Sequence, residues 1–156
     1  MKAVNPRSAL LLKTFGCVFL GTVLPPGCIG QVKSQAGCVS YEPSVVKLDG
    51  TLIRKTFPGP PNYESVKKGD TPETYWLLNL FHPICVSKDE REPDLNPEQT
   101  GVGVIQLVVD PLLYKTHSRL IGKRVVTTGT LFGSHTGHHH APVLLKVTSL
   151  VEARTE

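Results

Sequence analysis

Two stretches of this chain are built on one pattern. "SVVKLDGTLIRKTF", from Ser44, has paired valines, apolar positions at Val46, Leu48 and Leu52, and the step Gly50-Thr51-Leu52; "KRVVTTGTLF", from Lys123, has paired valines and then Gly129-Thr130-Leu131. Alternation of this kind marks a strand with one buried face. A glycine inside such a run has two uses: Asp49-Gly50 would make a two-residue hairpin turn, or the glycine would bend one long strand at a barrel corner. The repetition of the step favours two long bent strands.

The rest of the chain supplies partners for them. "ETYWLLNLFHPICV" reads as a strand carrying Trp76, Leu78 and Leu80, with Trp76 in the core, and "GVGVIQLVV" reads as a buried strand. Helix punctuation follows: Asp110 as N-cap, Pro111 at the first helical position, Leu113, Leu120 and Ile121 as an apolar stripe, and Gly122 as the stop, predicting a helix over 111–121. A last strand, "VLLKVTSLV", starts at Pro142. The 13 prolines and 14 glycines agree with short elements joined by turns. Bent strand, two strands, helix, bent strand and final strand predict a mainly β fold, a small five-stranded OB-like Greek-key barrel with one short helix. An open β-sandwich is the alternative. "FPGPPNYESVKKGD" is a Pro/Gly-rich loop, and "KDEREPDLNPEQ", from Lys88 to Gln99, is expected to be solvated. The carboxylates of the latter lack calcium-loop spacing.

At 156 residues the chain holds one domain, expected over 37–152. Residues 1–30 read as a signal peptide: Lys2, Arg7 and Lys13 precede the uncharged run Phe15 to Leu24. Cleavage is expected after Gly30 or as late as Ala36. The run is too short to cross a bilayer, so no transmembrane helix is expected in the mature chain. A periplasmic or secreted protein follows. Cys28 and Cys38 each follow a glycine, as the cysteine of a lipid-anchored form often does, but Pro25, Pro26 and Gln35 depart from the usual pattern. The net charge of +4 comes from Lys2, Arg7, Lys13 and Lys33, since all 13 carboxylates lie beyond them. The mature part is neutral, which argues against a nucleic-acid partner.

Cys17 and Cys28 fall in or beside the leader, leaving Cys38 and Cys85. Two cysteines in an exported chain are expected to pair. Closing a loop of that length contributes roughly 3–4 kcal/mol.

The chemistry sits in "HTGHHHAPVLL", with four histidines in six residues. The connection is longer than hairpin loops usually are. His135 and His138, separated by Thr136-Gly137, and His140 beyond them form a candidate metal set for Zn or Cu, with imidazoles and an open coordination position. The competing reading is structural, with the histidines hydrogen-bonding turn carbonyls and neighbouring strands. His139 would point away from a metal set and is a candidate ligand contact, as are Tyr63 and Glu64 in "PPNYES". Glu64 and Asp70 are a second, weaker combination, as an acid/base pair. His82, before Pro83 at a strand end, and His117, on the exposed side of the helix, read as incidental. Signatures of nucleophilic triads, phosphate loops and dinucleotide folds do not occur, and no catalytic residue is assigned.

"YEP", "FPGPPNYES", "GD" and "GTLFGSHTGHHHAPVLL" resemble the exported bacterial proteins that carry domain of unknown function 4431 (DUF4431), over Cys38 to Val147. Where that family often has a further histidine, this chain has Gly133-Ser134. The resemblance implies an exported β domain and carries no activity. The resulting expectation is a non-enzymatic binding module, whose histidine loop contacts a ligand or an envelope protein. A metal-dependent hydrolase and a metal-sequestering protein are the alternatives.

Overall fold

A computed structural model describes residues 37–154; the expected leader with its cleavage points, Cys17 and Cys28 lies outside the described residues. The chain forms β1 (Cys38–Ser40), β2 (Val45–Pro58), β3 (Pro72–Ser87), β4 (Gln99–Val108), α1 (Pro111–His117), β5 (Arg124–Gly133) and β6 (Val143–Glu152). The fold is mainly β, a six-stranded mixed sheet with one short helix.

β2 is continuous through Asp49-Gly50, so the hairpin alternative is overturned. Its first half pairs with β5, its second with β3, and Gly50 is opposite both Val125 and Leu80. The exchange of neighbours explains the glycine. A Cβ at Gly50 would overlap the carbonyl oxygen of Asn79, and one at Gly129 that of Lys146, where the β5–β6 register shifts. Both glycines mark close backbone approaches at a bend.

Pairing runs β3–β2–β5–β6–β4, and β4 pairs again with β3, so the run returns to its start. β4–β6 and β1–β3 are parallel and the other pairs antiparallel. β1 is the strand that sequence periodicity missed, being three residues long. Cys38 is opposite Cys85 in its register with β3, and the two form a disulfide as expected.

One face of every long strand points to a common core that includes Leu52, Trp76, Leu78, Ile105, Leu131 and Leu145. Burying each such side chain contributes about 1.5–3 kcal/mol. Trp76 is a core residue, as the sequence suggested.

Three expectations change. His82-Pro83 lies inside β3 rather than at a strand end, where the β3–β4 register slips between Asn79 and Ile84. Such an irregularity tolerates a residue without an N–H. The α-helix ends at His117 instead of Ile121, continuing as a 3-10 turn over Ser118–Leu120. Thr116 Oγ1 donates to the Leu112 carbonyl at 2.8 Å and His117 Nδ1 lies 3.2 Å from the Leu113 carbonyl, so side chains engage the carbonyls of the last turn. His117 is accordingly half-buried. The segment 88–99 is not simply solvated: buried Asn96 accepts the Gly133 N–H at 2.8 Å, and the Tyr41 hydroxyl donates to the Pro97 carbonyl.

Candidate functional site: a cleft walled by the histidine loop

Leu77, Gln106 and Leu144 are opposite one another on β3, β4 and β6. Their chain neighbours Leu78, Leu107 and Leu145 face the core, so by alternation this row faces outward. All three are nonetheless buried, Gln106 to 2% exposure. A buried glutamine must find partners. Gln106 finds them in the loop 134–142: its Nε2 donates to the His138 carbonyl at 2.9 Å, and its Oε1 accepts the His140 N–H at 2.6 Å. One side chain therefore fastens the loop across the outer face of the sheet. The loop closes its own ends through Ser134 N–H to Pro142 O and turns through His139 N–H to Thr136 O.

The four imidazoles go to different places. His138 Nδ1–H donates to Glu73 Oε2 at 2.8 Å, and the Tyr75 hydroxyl donates to the same oxygen at 2.9 Å. Glu73 is held below the usual carboxylate range chiefly by His138, and burial together with Glu73 pushes the Tyr75 phenol up to about 12. His140 stacks flat on Phe57, with ring centres 4.0 Å apart, and its buried Nε2 has no hydrogen-bond partner. On the other side of the turn, His135 Nδ1–H donates to the Gly133 carbonyl, and the His135 backbone N–H donates to His139 Nδ1 at 3.0 Å. The His135 and His139 rings meet edge to face at 4.7 Å. Burial lowers the pKa of both His139 and His140.

The structure thus does not bring His135, His138 and His140 together as a ligand set. Among the described residues, no group of three or more His, Cys, Asp or Glu side chains converges as a metal ion would require.

The Pro/Gly-rich loop between β2 and β3 meets the histidine loop. Tyr63, at φ 59°, lays its ring against Gly137, where an added Cβ would be 3.0 Å from ring carbons, and stands edge-on to His138 at 5.6 Å. Asp70 holds the loop's shape. Its buried carboxylate accepts the N–H groups of Asn62, Glu64 and Ser65 at 3.0, 2.8 and 2.7 Å, and these bonds, Ser65 foremost, lower its pKa. The acid/base pairing of Glu64 with Asp70 is therefore overturned: the backbone of Glu64, not its exposed carboxylate, meets Asp70.

Beside this junction lies a cleft of about 260 Å³ bounded by Tyr75, Trp76, Gln106, Tyr114, His138 and His139. Trp76 stacks on Tyr114 of α1 at 4.5 Å. A larger, more open hollow of about 540 Å³ is lined by Glu42, Asp89, Arg91 and Thr130. In it Arg91 pairs with Asp89, Oδ2 at 2.6 Å, and donates to the Glu42 backbone carbonyl at 2.7 Å. Sequence reasoning named His138, His139 and Tyr63 but missed Glu73, Tyr75, Gln106 and Tyr114. The one available signal was Gln106, a lone polar residue inside "GVGVIQLVV".

Comparison with curated proteins finds none that matches, and comparison with solved structures finds none either. A family model described as domain of unknown function (DUF4431) matches residues 104–151, narrower than the span over which the sequence resemblance was read. The matched segment runs from β4 through α1 and β5 to β6, and so includes Gln106, Tyr114 and the whole histidine loop. Over that segment the chain is similar to the DUF4431 family.

Proposed function

We propose that this protein is an exported, non-enzymatic binding module on an OB-like barrel, and that it takes a ligand in the cleft beside the histidine loop. The barrel reading is supported by the pairing order, which returns to β3, and by a helix between the third and fourth strands of that circuit. In an OB fold the binding face lies on the second and third barrel strands, between the loop joining the first two and the loop joining the last two. Here these correspond to β3 and β4, the Tyr63 loop and the histidine loop.

The observation that carries the reading is the contact of those two loops through Tyr63, Gly137 and His138 at the edge of the cleft. Export is supported by the sequence of residues 1–30 and by the Cys38–Cys85 disulfide, which suits an oxidising compartment. Chemical-shift mapping with a mixture of small uncharged fragments tests the site. Shifts centred on Tyr75, Tyr114, His138 and His139 are expected. Shifts centred on Glu42 and Arg91 would refute it.

The carboxylate-oriented His138 gives a metal-dependent reading one favourable feature, because metal-binding histidines commonly donate their other ring N–H to a carboxylate. It supplies one ligand where a zinc site needs at least three.

A further inference from the structure

The β3–β4 ladder stops short of the start of β3. Its last rung is Trp76 opposite Leu107, whereas β3 begins at Pro72 and stays paired with β2 to that end. Carried one hydrogen-bonded rung further, the same register would set Thr74 against Val109. Among the described residues no bond joins these two, and Thr74, Tyr75, Val108 and Val109 line the cleft instead.

The direction of the free groups follows from alternation. Leu52 turns its backbone away from β3: its N–H donates to the Lys123 carbonyl, and its C=O accepts the Gly122 N–H. Opposing residues of an antiparallel pair alternate between exchanging hydrogen bonds and pointing away from each other. Arg54, Thr56 and Pro58 therefore also turn away from β3, and their partners Trp76, Thr74 and Pro72 turn away from β2. Pro58 opposite Pro72 agrees, since neither has an N–H to exchange. Thr74 is left with one N–H and one C=O directed to the cleft side, and Pro72 adds no further donor.

The lining comes from both faces of the sheet. Trp76 and Leu107 belong to the core and Val109 packs against it, while Tyr75 and Val108 alternate with them on the outer side. Tyr114 stacks on Trp76 on the first side, and His138 shares the Glu73 carboxylate with Tyr75 on the second. An added strand has the matching form, with backbone bonds in the plane of the sheet and side chains leaving alternately to its two faces. No Asp, Glu, Lys or Arg lines the cleft, so the side chains it matches are uncharged. The open edge of β2 differs: it carries exposed Arg54 and Lys55 and lines no part of the cleft. Charged side chains of that kind discourage strand addition.

We propose, resting on the binding-module reading above, that the cleft takes an extended, uncharged peptide segment of a partner protein by strand addition. The backbone of the segment exchanges hydrogen bonds with Thr74, and its alternate side chains enter on the Trp76–Tyr114 side and the Tyr75–His138 side. At about 260 Å³ the cleft holds a short stretch of such a segment. Main-chain bonds supply affinity and the two walls select the side chains.

The test is amide NMR with hydrogen exchange on the mature protein. The probes are acetyl-Gly-Val-Tyr-Val-Gly-amide, the same peptide methylated at every backbone nitrogen, and benzyl alcohol. Expected are shifts at Thr74, Val109 and Tyr114 with the plain peptide, slowed exchange of the Thr74 amide, and binding about tenfold weaker for the methylated peptide. Thr74→Pro removes an N–H that β2 does not use. It should weaken the plain peptide by about tenfold and leave benzyl alcohol unaffected; should that variant fail to fold, the pair of peptides decides. Equal binding of the two peptides would overturn strand addition and leave the cleft as a binding site. Benzyl alcohol shifting Tyr75 and Tyr114 where neither peptide does would overturn the peptide class alone. Protection at Arg54 and Thr56 in place of Thr74 would overturn the choice of edge. If no probe shifts the cleft, both this proposal and the binding-module reading fail.

Discussion

Gln106 and His140 are 34 residues apart, and the backbone N–H of one donates to the side-chain oxygen of the other at 2.6 Å. With the second bond, from Gln106 Nε2 to the His138 carbonyl, this makes a loop of histidines part of the sheet's outer face. Gln106→Leu keeps the volume but leaves a carbonyl and an N–H without partners. Each such loss costs about 1–3 kcal/mol where the group stays buried. Thermal denaturation should show a clear fall, and amide exchange should quicken within 134–142 while β2 and β5 stay protected.

Glycine should matter where backbones touch. Gly50→Ala and Gly129→Ala drive a Cβ into a carbonyl oxygen of the neighbouring strand, whereas Gly103, with open space around its Cβ position, does not. Denaturant unfolding should place the first two variants at least about 2 kcal/mol below Gly103→Ala. Equal effects at the three positions would contradict the bent-strand account.

The disulfide holds β1 to β3 across a sequence separation of 47. Cys85→Ser should lower stability by about 3–4 kcal/mol. Non-reducing peptide mapping should recover Cys38 linked to Cys85, and two freely alkylated thiols would contradict it.

Acid should loosen the loop before the barrel. Burial lowers the folded-state pKa of His139 and His140 below the ordinary imidazole value of 6.5, so the unfolded chain takes up protons first as pH falls through that value. Stability is then lost progressively below about pH 6.5. Glu73 acts in a lower window: its depressed pKa gives stability that is present above its ordinary value of 4.5 and disappears as pH falls through its folded value. His140→Phe keeps a ring to stack on Phe57 and removes one of the two imidazoles whose pKa burial lowers. Its melting temperature should vary less between pH 7.5 and 5.5, a range chosen about one unit either side of the imidazole value.

Much of this was legible in the chain because local rules governed it. Gly50 and Gly129 break a two-residue period, Asp110-Pro111 announces a helix start, and Cys38 and Cys85 remain once the leader is set aside. The site was legible only in part. The histidine loop names itself, but Glu73 meets His138 from 65 residues away, and no local pattern encodes that distance. Gln106 sits among residues that any periodicity reads as buried strand, and only the fold reveals that its side chain faces outward beneath a loop. β1 is too short to have a period. Asn96 looked solvated because its segment is charged, and its burial depends on the neighbouring Gly133 N–H.

The central claim is that the histidine loop, through His138 and His139, walls a ligand cleft and does not hold a metal ion. Melting temperature with and without Zn²⁺ or Cu²⁺, for the mature protein and for His138→Ala, tests it most directly. Loss of the Glu73 contact should lower the His138→Ala midpoint by the same amount in both conditions. A metal-dependent rise in the unsubstituted protein that disappears in His138→Ala and persists in His139→Ala would contradict the account.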